Sequence, residues 1–170
     1  MLNTRFTIKL INFGPIILLY YLSISEIDTN FEKLFEVFSL NLQIIIIYFW
    51  IIKRPNLMGT GHIFFAGLIN DVVMGFPLGI SSLSYLVVCF VGNYVRNKSV
   101  NTTIASDWFT FLIALLFANL LFFSLLNNFS VVAISFAKIG YNTFFTLFLF
   151  PVFWLLFNFY QVSLIGSQDA

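Results

Sequence analysis

The chain has 170 residues, of which 60% are hydrophobic, 24 are phenylalanine and only 9% are charged, for a net charge of +1. A mean hydropathy of +0.97 means more apolar surface than a soluble domain of this length can bury, and the charge balance offers no basic field for nucleic acid. The composition therefore reads as an all-α integral membrane protein. Lipid offers backbone amides no hydrogen-bond partner, so only helices and closed barrels satisfy them, and these apolar runs are too long and continuous for barrel strands.

The first apolar segment covers about 6–22, behind Arg5 and Lys9. No small-x-small cleavage site precedes Glu26, so it reads as a retained anchor rather than a removed signal. Gly14 and Pro15 fall in its middle and predict a kink or the start of its outer half. An acidic stretch with Glu26, Asp28, Glu32 and Glu36 follows, too polar for a bilayer interior. The second segment, about 36–52, contains four consecutive isoleucines at 44–47 and ends with Tyr48, Trp50, Lys53, Arg54 and Pro55. Aromatic and basic residues at a segment end fit a membrane interface.

The third segment, about 62–78, is 17 residues long and would span ~26 Å as a helix. Gly75, Pro77 and Gly79 make a turn at its end, and the fourth segment, about 80–95, follows at once. So short a connection predicts an antiparallel helical hairpin. A polar loop from 99 to 106 leads to the fifth segment, about 108–126, with Ser106 or Asp107 as its expected N-cap. The apolar stretch 129–139 is too short to span and reads as interfacial or as an extension of the last helix. The sixth segment is about 141–160, with Pro151 inside, and 161–170 is a polar tail.

Six spans in a single transmembrane domain, 1–160, are thus expected. With the N-terminus in the cytoplasm, inner segments hold Arg5, Lys9, Lys53, Arg54, Arg96 and Lys98, while outer segments hold Lys33 and Lys138. The positive-inside rule then puts both termini in the cytoplasm.

One carboxylate stands out. Asp71 lies within the apolar third segment, where a charge needs a reason. Gly59, Gly67, Gly75 and Gly79 share its four-residue spacing and suggest a narrow face for close helix approach. Asp71 has three functional readings: a proton or cation relay, a polar-ligand contact, or an anchor for packing or partner docking. The bland alternative is that it bonds inward to groups such as Asn70, Ser81, Ser84, Asn93 or Asn119. A relay is least favoured, because Asp107 is expected near a membrane edge and no other acid lies at depth. His62 reads as an interfacial imidazole. Cys89 can form no internal disulfide and reads as a packing residue. No phosphate loop, nucleophile elbow or metal-ligand cluster is present, so neither enzyme activity, a cofactor nor a metal is expected.

Several of these residues occur in an order that resembles the rod shape-determining protein MreD family. They are Tyr48, Trp50 and Pro55 at the end of the second segment and Gly59, Thr60 and Gly61 after it. Gly67, Leu68 and Asp71 follow, then Gly75, Pro77, Leu78 and Gly79, with Pro151 in the last segment. The motif covers about 35 residues, and the length and six-segment hydropathy cover the chain. The chain departs from the family pattern in having Leu40 and Asn41 where a proline often opens the second helix. It also ends in Gln168, Asp169 and Ala170 rather than a basic tail.

The resemblance implies a bacterial inner-membrane protein of the cell-elongation machinery, without enzymatic activity. Its partners would be MreC, a single-span periplasmic protein, and indirectly MreB and the lateral-wall peptidoglycan synthases. It also implies a fold similar to the substrate-binding subunits of energy-coupling-factor vitamin transporters. By that analogy Gly67, Asp71 and Gly75, with Pro77 and Gly79, would face a central pocket or a partner helix. A vitamin-type binding subunit of a transporter is the alternative function. A lipid-linked precursor flippase or ion carrier is a weaker third.

Overall fold

The computed structural model describes residues 2–25, 34–98, 103–129 and 136–162; side chains are described outside 2–12, 34–41 and 136–139. It is all-helical. The helices are α1 (Leu2–Ile24), α2 (Leu34–Lys53), α3 (Thr60–Met74), α4 (Ile80–Lys98), α5 (Ile104–Phe129) and α6 (Phe136–Tyr160), with a single 3-10 turn at Pro55–Leu57. Among the described residues, two stretches, Ile104–Phe129 and Gly140–Tyr160, are long and apolar enough to cross a membrane.

The organising element is α2. Every residue from 43 to 52 is buried, including the four isoleucines, Tyr48, Phe49 and Trp50. A helix that is apolar all round is stable only when enclosed on all sides. Here α1, α4 and α6 pack on α2 directly; α3 reaches it through Asn70, and α5 through Asp107 and the Phe111 ring, whose centroid is 5.2 Å from that of Tyr48. Around it α1 packs on α3, α3 on α4, α4 on α5 and α5 on α6. The circuit returns to α1 where the Tyr160 hydroxyl meets Gly14, so close that a Cβ there would stand 2.4 Å from it.

The helix limits differ from the sequence expectation at named points. The third helix ends at Met74, not 78. Gly75 takes a left-handed φ of 66°, the Gly75 N–H donates to the Val72 carbonyl and the Phe76 N–H to the Asp71 carbonyl. That six-to-one and five-to-two pair is the Schellman ending, which closes a helix whatever the hydropathy beyond it. The fifth helix begins at Ile104 rather than 108, and its cap is Thr103, whose hydroxyl accepts the Ser106 N–H at 3.3 Å. Neither Ser106 nor Asp107 caps it. The sixth starts at Phe136, so 136–139 belong to it; 130–135 lie outside the described residues. The Gly14 and Pro15 positions fall inside an unbroken α1. Most of the acidic stretch and the end of the tail (26–33 and 163–170) also lie outside the described residues.

Pro151 has a partnered consequence. It has no N–H, so the Leu147 carbonyl one turn earlier lacks its helical donor. The Trp108 indole of α5 donates to that carbonyl at 2.9 Å. A proline on one helix thus makes a hydrogen-bonding site for its neighbour.

Candidate functional site

Asp71 is fully buried near the end of α3, and both its oxygens are engaged within the chain. Oδ2 accepts the Gly79 N–H at 2.8 Å and Oδ1 accepts the Ser81 N–H at 2.9 Å. Gly79 and Ser81 bracket the first residue of α4, so the carboxylate covers donors that a helix leaves unpaired at its start. An anion there also meets the positive end of the helix dipole. Sequence proximity makes this possible. The Schellman ending reverses the chain after Met74, and Gly79, with φ of 101°, turns it into α4. Asp71 is therefore a staple across the α3–α4 hairpin.

Gly67 lies one turn earlier on the same side. A Cβ at this position would stand 2.5 Å from the Ser82 Cα and 2.6 Å from its nitrogen. The helices touch backbone to backbone, and the Ser82 hydroxyl donates to the Phe64 carbonyl at 3.1 Å. The rest of the expected glycine row is different. α3 spans only Thr60–Met74, so Gly59, Gly75 and Gly79 lie outside it. Gly75 is exposed, with nothing within 4 Å of a Cβ, and Gly79 likewise has open space. Their role is conformational: both hold positive φ. Pro77 is half-buried in the turn between them.

A buried polar network continues inward from Asp71. The Asn70 amide donates to Ser81 Oγ at 3.1 Å, and its Oδ1 accepts from Gln43 Nε2 at 3.3 Å. Gln43 Nε2 also donates to Ser23 Oγ at 3.2 Å, and Gln43 Oε1 accepts from the Tyr85 hydroxyl. Ser23 in turn donates to the Leu19 carbonyl at 2.9 Å. The Gln43 amide thus ties α1, α2, α3 and α4 together, with each of its polar atoms partnered. Sequence reasoning missed Gln43 and Tyr85. The signal was available: Gln43 is an amide directly ahead of four isoleucines, in a segment otherwise apolar over that stretch. Ser84, Asn93 and Asn119, named as possible Asp71 partners, bond elsewhere: to the Ile80 carbonyl, Cys89 Sγ and Thr143 Oγ1 respectively.

Asp107, which the sequence places near a membrane edge, is a second buried acid, 2% exposed in the first turn of α5. Its Oδ2 pairs with Lys53 Nζ at 3.3 Å and accepts the Trp154 indole N–H at 3.0 Å. Lys53 also stands over the Trp154 ring, 5.2 Å from its centroid. Asp107 Oδ1 is buried with no hydrogen-bond partner. Tyr48, Phe49, Ile52 and Phe150 pack around this cluster and leave no enclosed space for a water molecule between them. One turn along, the Tyr48 hydroxyl meets Thr110 Oγ1. Thr110 commits its own proton to the Ser106 carbonyl at 2.8 Å, so Tyr48 is the donor.

His62 is exposed at the start of α3, its Nδ1 3.2 Å from the Tyr20 hydroxyl. Cys89 is buried, accepting from Asn93. Among the described residues, no three His, Cys, Asp or Glu side chains converge to hold a metal ion. No protein-family model, curated protein or solved structure matches this chain.

Proposed function

We propose that this chain is a six-span membrane protein acting as a non-enzymatic scaffold of the bacterial cell-elongation machinery, with a single-span MreC-like protein as its partner. The membrane part is carried by one observation: polarity is inverted. Ser23, Gln43, Asn70, Asp71, Ser81, Ser84 and Asp107 are buried, whereas Ile17, Phe65, Phe90, Phe117, Phe148 and Phe159 are exposed on five different helices. Water would reverse that arrangement; lipid favours it, because buried polar groups can pair and outward hydrocarbon meets hydrocarbon.

Orientation is supported by the placement of charge. Gly92 of α4 packs against Ile51 of α2, so the two helices run in register and Lys53, Arg54, Arg96 and Lys98 fall at one end. By the positive-inside rule that end faces the cytoplasm. The scaffold part is supported by where the family-like residues stand. Gly67, Asp71, Gly75, Pro77 and Gly79 all belong to one hairpin, where they set the helix approach, the helix ends and the turn. On this reading they act by shaping the α3–α4 surface offered to a partner rather than by touching it.

Three measurements test the proposal in turn. The wild-type protein should float with lipid vesicles. Single cysteines at Asn56 and Leu78, in a Cys89→Ala background, should label from opposite sides of the membrane. An MreC-like protein should co-purify from the source cell. If no such partner is recovered and Asp71→Leu leaves cell shape normal, the scaffold reading fails, whatever the outcome of the first two.

A further inference from the structure

In a bilayer the useful height of a helix is the stretch it offers to hydrocarbon between groups that need water, at about 1.5 Å per residue. Measured that way, the helices fall into two classes. α1 has sixteen uncharged residues, 10–25, between Lys9 and Glu26. α2 has sixteen, 37–52, between Glu36 and Lys53, and α4 has sixteen, 80–95, ahead of Arg96. α3 is 15 residues in all. Each of these gives about 22–24 Å. α5 offers nineteen residues, 108–126, before Asn127 and Asn128, and α6 offers the 21 residues Gly140–Tyr160. These give about 28–32 Å, close to the roughly 30 Å of a typical hydrocarbon core. The first class falls short of that core by about 6–8 Å.

Three contacts set the two classes to a common level. Lys53 pairs with Asp107, so the end of α2 and the start of α5 lie together. Fifteen residues along α5 from Asp107, or ~22 Å, is Phe122, whose ring meets Phe76 at the tip of the α3–α4 hairpin with centroids 5.5 Å apart. α5 then runs seven residues further to Phe129, or ~10 Å. Ser23, one residue from the end of α1, bonds to Gln43, which is ten residues or ~15 Å from Lys53. α1 and the hairpin therefore stop below a step whose upper part is α5. The tip suits lipid rather than water. No side chain between Asp71 and Ser81 is polar, and Leu78 is 70% exposed.

We propose that the contiguous side formed by α1, α3 and α4 is a docking surface for short-chain lipid, drawing the bilayer in beside the hairpin while α5 and α6 hold ordinary thickness. Ile17, Phe65 and Phe90, one on each of the three helices, are exposed to meet that lipid. A bilayer answers a short apolar surface by thinning locally, and short acyl chains thin most easily. The protein is thereby matched to thin membrane, on one side only. This inference rests on the membrane reading above and is independent of the partner.

The test uses the full chain in nanodiscs of monounsaturated phosphatidylcholine, in a series with chains of fourteen to twenty-two carbons. Leu78→Cys and Phe129→Cys, both at positions 70% exposed, are made singly in a Cys89→Ala background and labelled with a membrane-impermeant maleimide. Lengthening the chains across the series should slow labelling at position 78 about tenfold, as the tip sinks below the headgroups, and leave position 129 unchanged within about twofold. The Tm of the wild-type chain in the same discs should be highest at fourteen or sixteen carbons. A rate at position 78 that ignores chain length would mean that water and not lipid meets the tip, and overturns the proposal. A parallel fall at both positions overturns it too, since the bundle would then have no step. So does a Tm maximum at eighteen carbons or more. A wild type that stays out of every disc sinks the membrane reading itself; the other failures leave that reading standing.

Discussion

Gly67 of α3 and Ser82 of α4 are in backbone contact, with room for no more than a hydrogen where a Cβ would stand 2.5 Å from the Ser82 Cα. Gly67→Ala should force the hairpin apart and lengthen the Ser82 to Phe64 hydrogen bond. Overpacking of this kind typically costs about 1–3 kcal/mol. Thermal unfolding in detergent measures it. Gly61→Ala is the control, because nothing lies within 4 Å of a Cβ there. Its Tm should hold or rise slightly, since alanine favours helix.

Asp71 satisfies two backbone donors at the start of α4. Asp71→Asn keeps one acceptor oxygen and loses the charge; Asp71→Ala keeps neither. Stability should fall in the order wild type, Asn, Ala. The alanine variant should lose on the order of 1–3 kcal/mol for each stranded donor. Equal stability of all three proteins, measured by the same unfolding assay, would remove the staple from the account.

Gly75 separates conformation from packing. Its φ is 66° and a Cβ would meet no neighbour. Gly75→Ala should therefore cost only the left-handed backbone penalty, about 1–2 kcal/mol. Gly75→Asn should cost less, because asparagine tolerates that region. If alanine and asparagine cost the same and both are severe, an unseen contact rather than backbone strain governs the position.

Gln43 and Tyr85 are coupled through a single oxygen, Gln43 Oε1. Tyr85→Phe removes the donor and Gln43→Leu removes the amide. Each should destabilise, and the double variant should lose less than the sum. Coupling energies for such contacting pairs run about 0.5–3 kcal/mol. Additivity within error would mean that the two side chains act separately.

Trp108 donates to the carbonyl that Pro151 leaves open. Trp108→Phe keeps the apolar bulk and strands the carbonyl. Pro151→Ala gives Leu147 its helical donor back. The substitution at Trp108 should therefore cost about 1 kcal/mol in the natural chain and less in the Pro151→Ala background. The double-mutant comparison reads this directly.

The six-helix count and the α3–α4 hairpin were legible in the chain, because hydropathy and the Gly75, Pro77, Gly79 turn are local signals. The exact end of α3 was not. Hydropathy continues through Phe76 and Leu78, whereas the helix stops where Gly75 enters the left-handed region. Asp71 announced itself by its cost, but its partners could not be read beforehand. They are main-chain groups of Gly79 and Ser81, and backbone donors carry no sequence signature. The burial of Asp107 was hidden for a related reason. It follows a polar loop and precedes a long apolar run, and that position carries no sign of what covers it. Burial came from Lys53 and Trp154, 54 and 47 residues away, which only packing brings together.

The enclosure of α2 has a bearing on the order in which this protein can be made. α2 follows α1 along the chain, and α3, α4, α5 and α6, which help to surround it, are all synthesised later. On the membrane reading proposed above, α2 first meets α1 and lipid. Its surface must suit hydrocarbon at the outset and close-packed side chains at the end. The isoleucines at 44–47 and the aromatic residues that follow meet both demands. Gln43 does not: its amide meets Ser23 of α1 at once but must wait for Asn70 and Tyr85. On that reading the Gln43 amide is fully partnered only once α3 and α4 have joined α1 and α2.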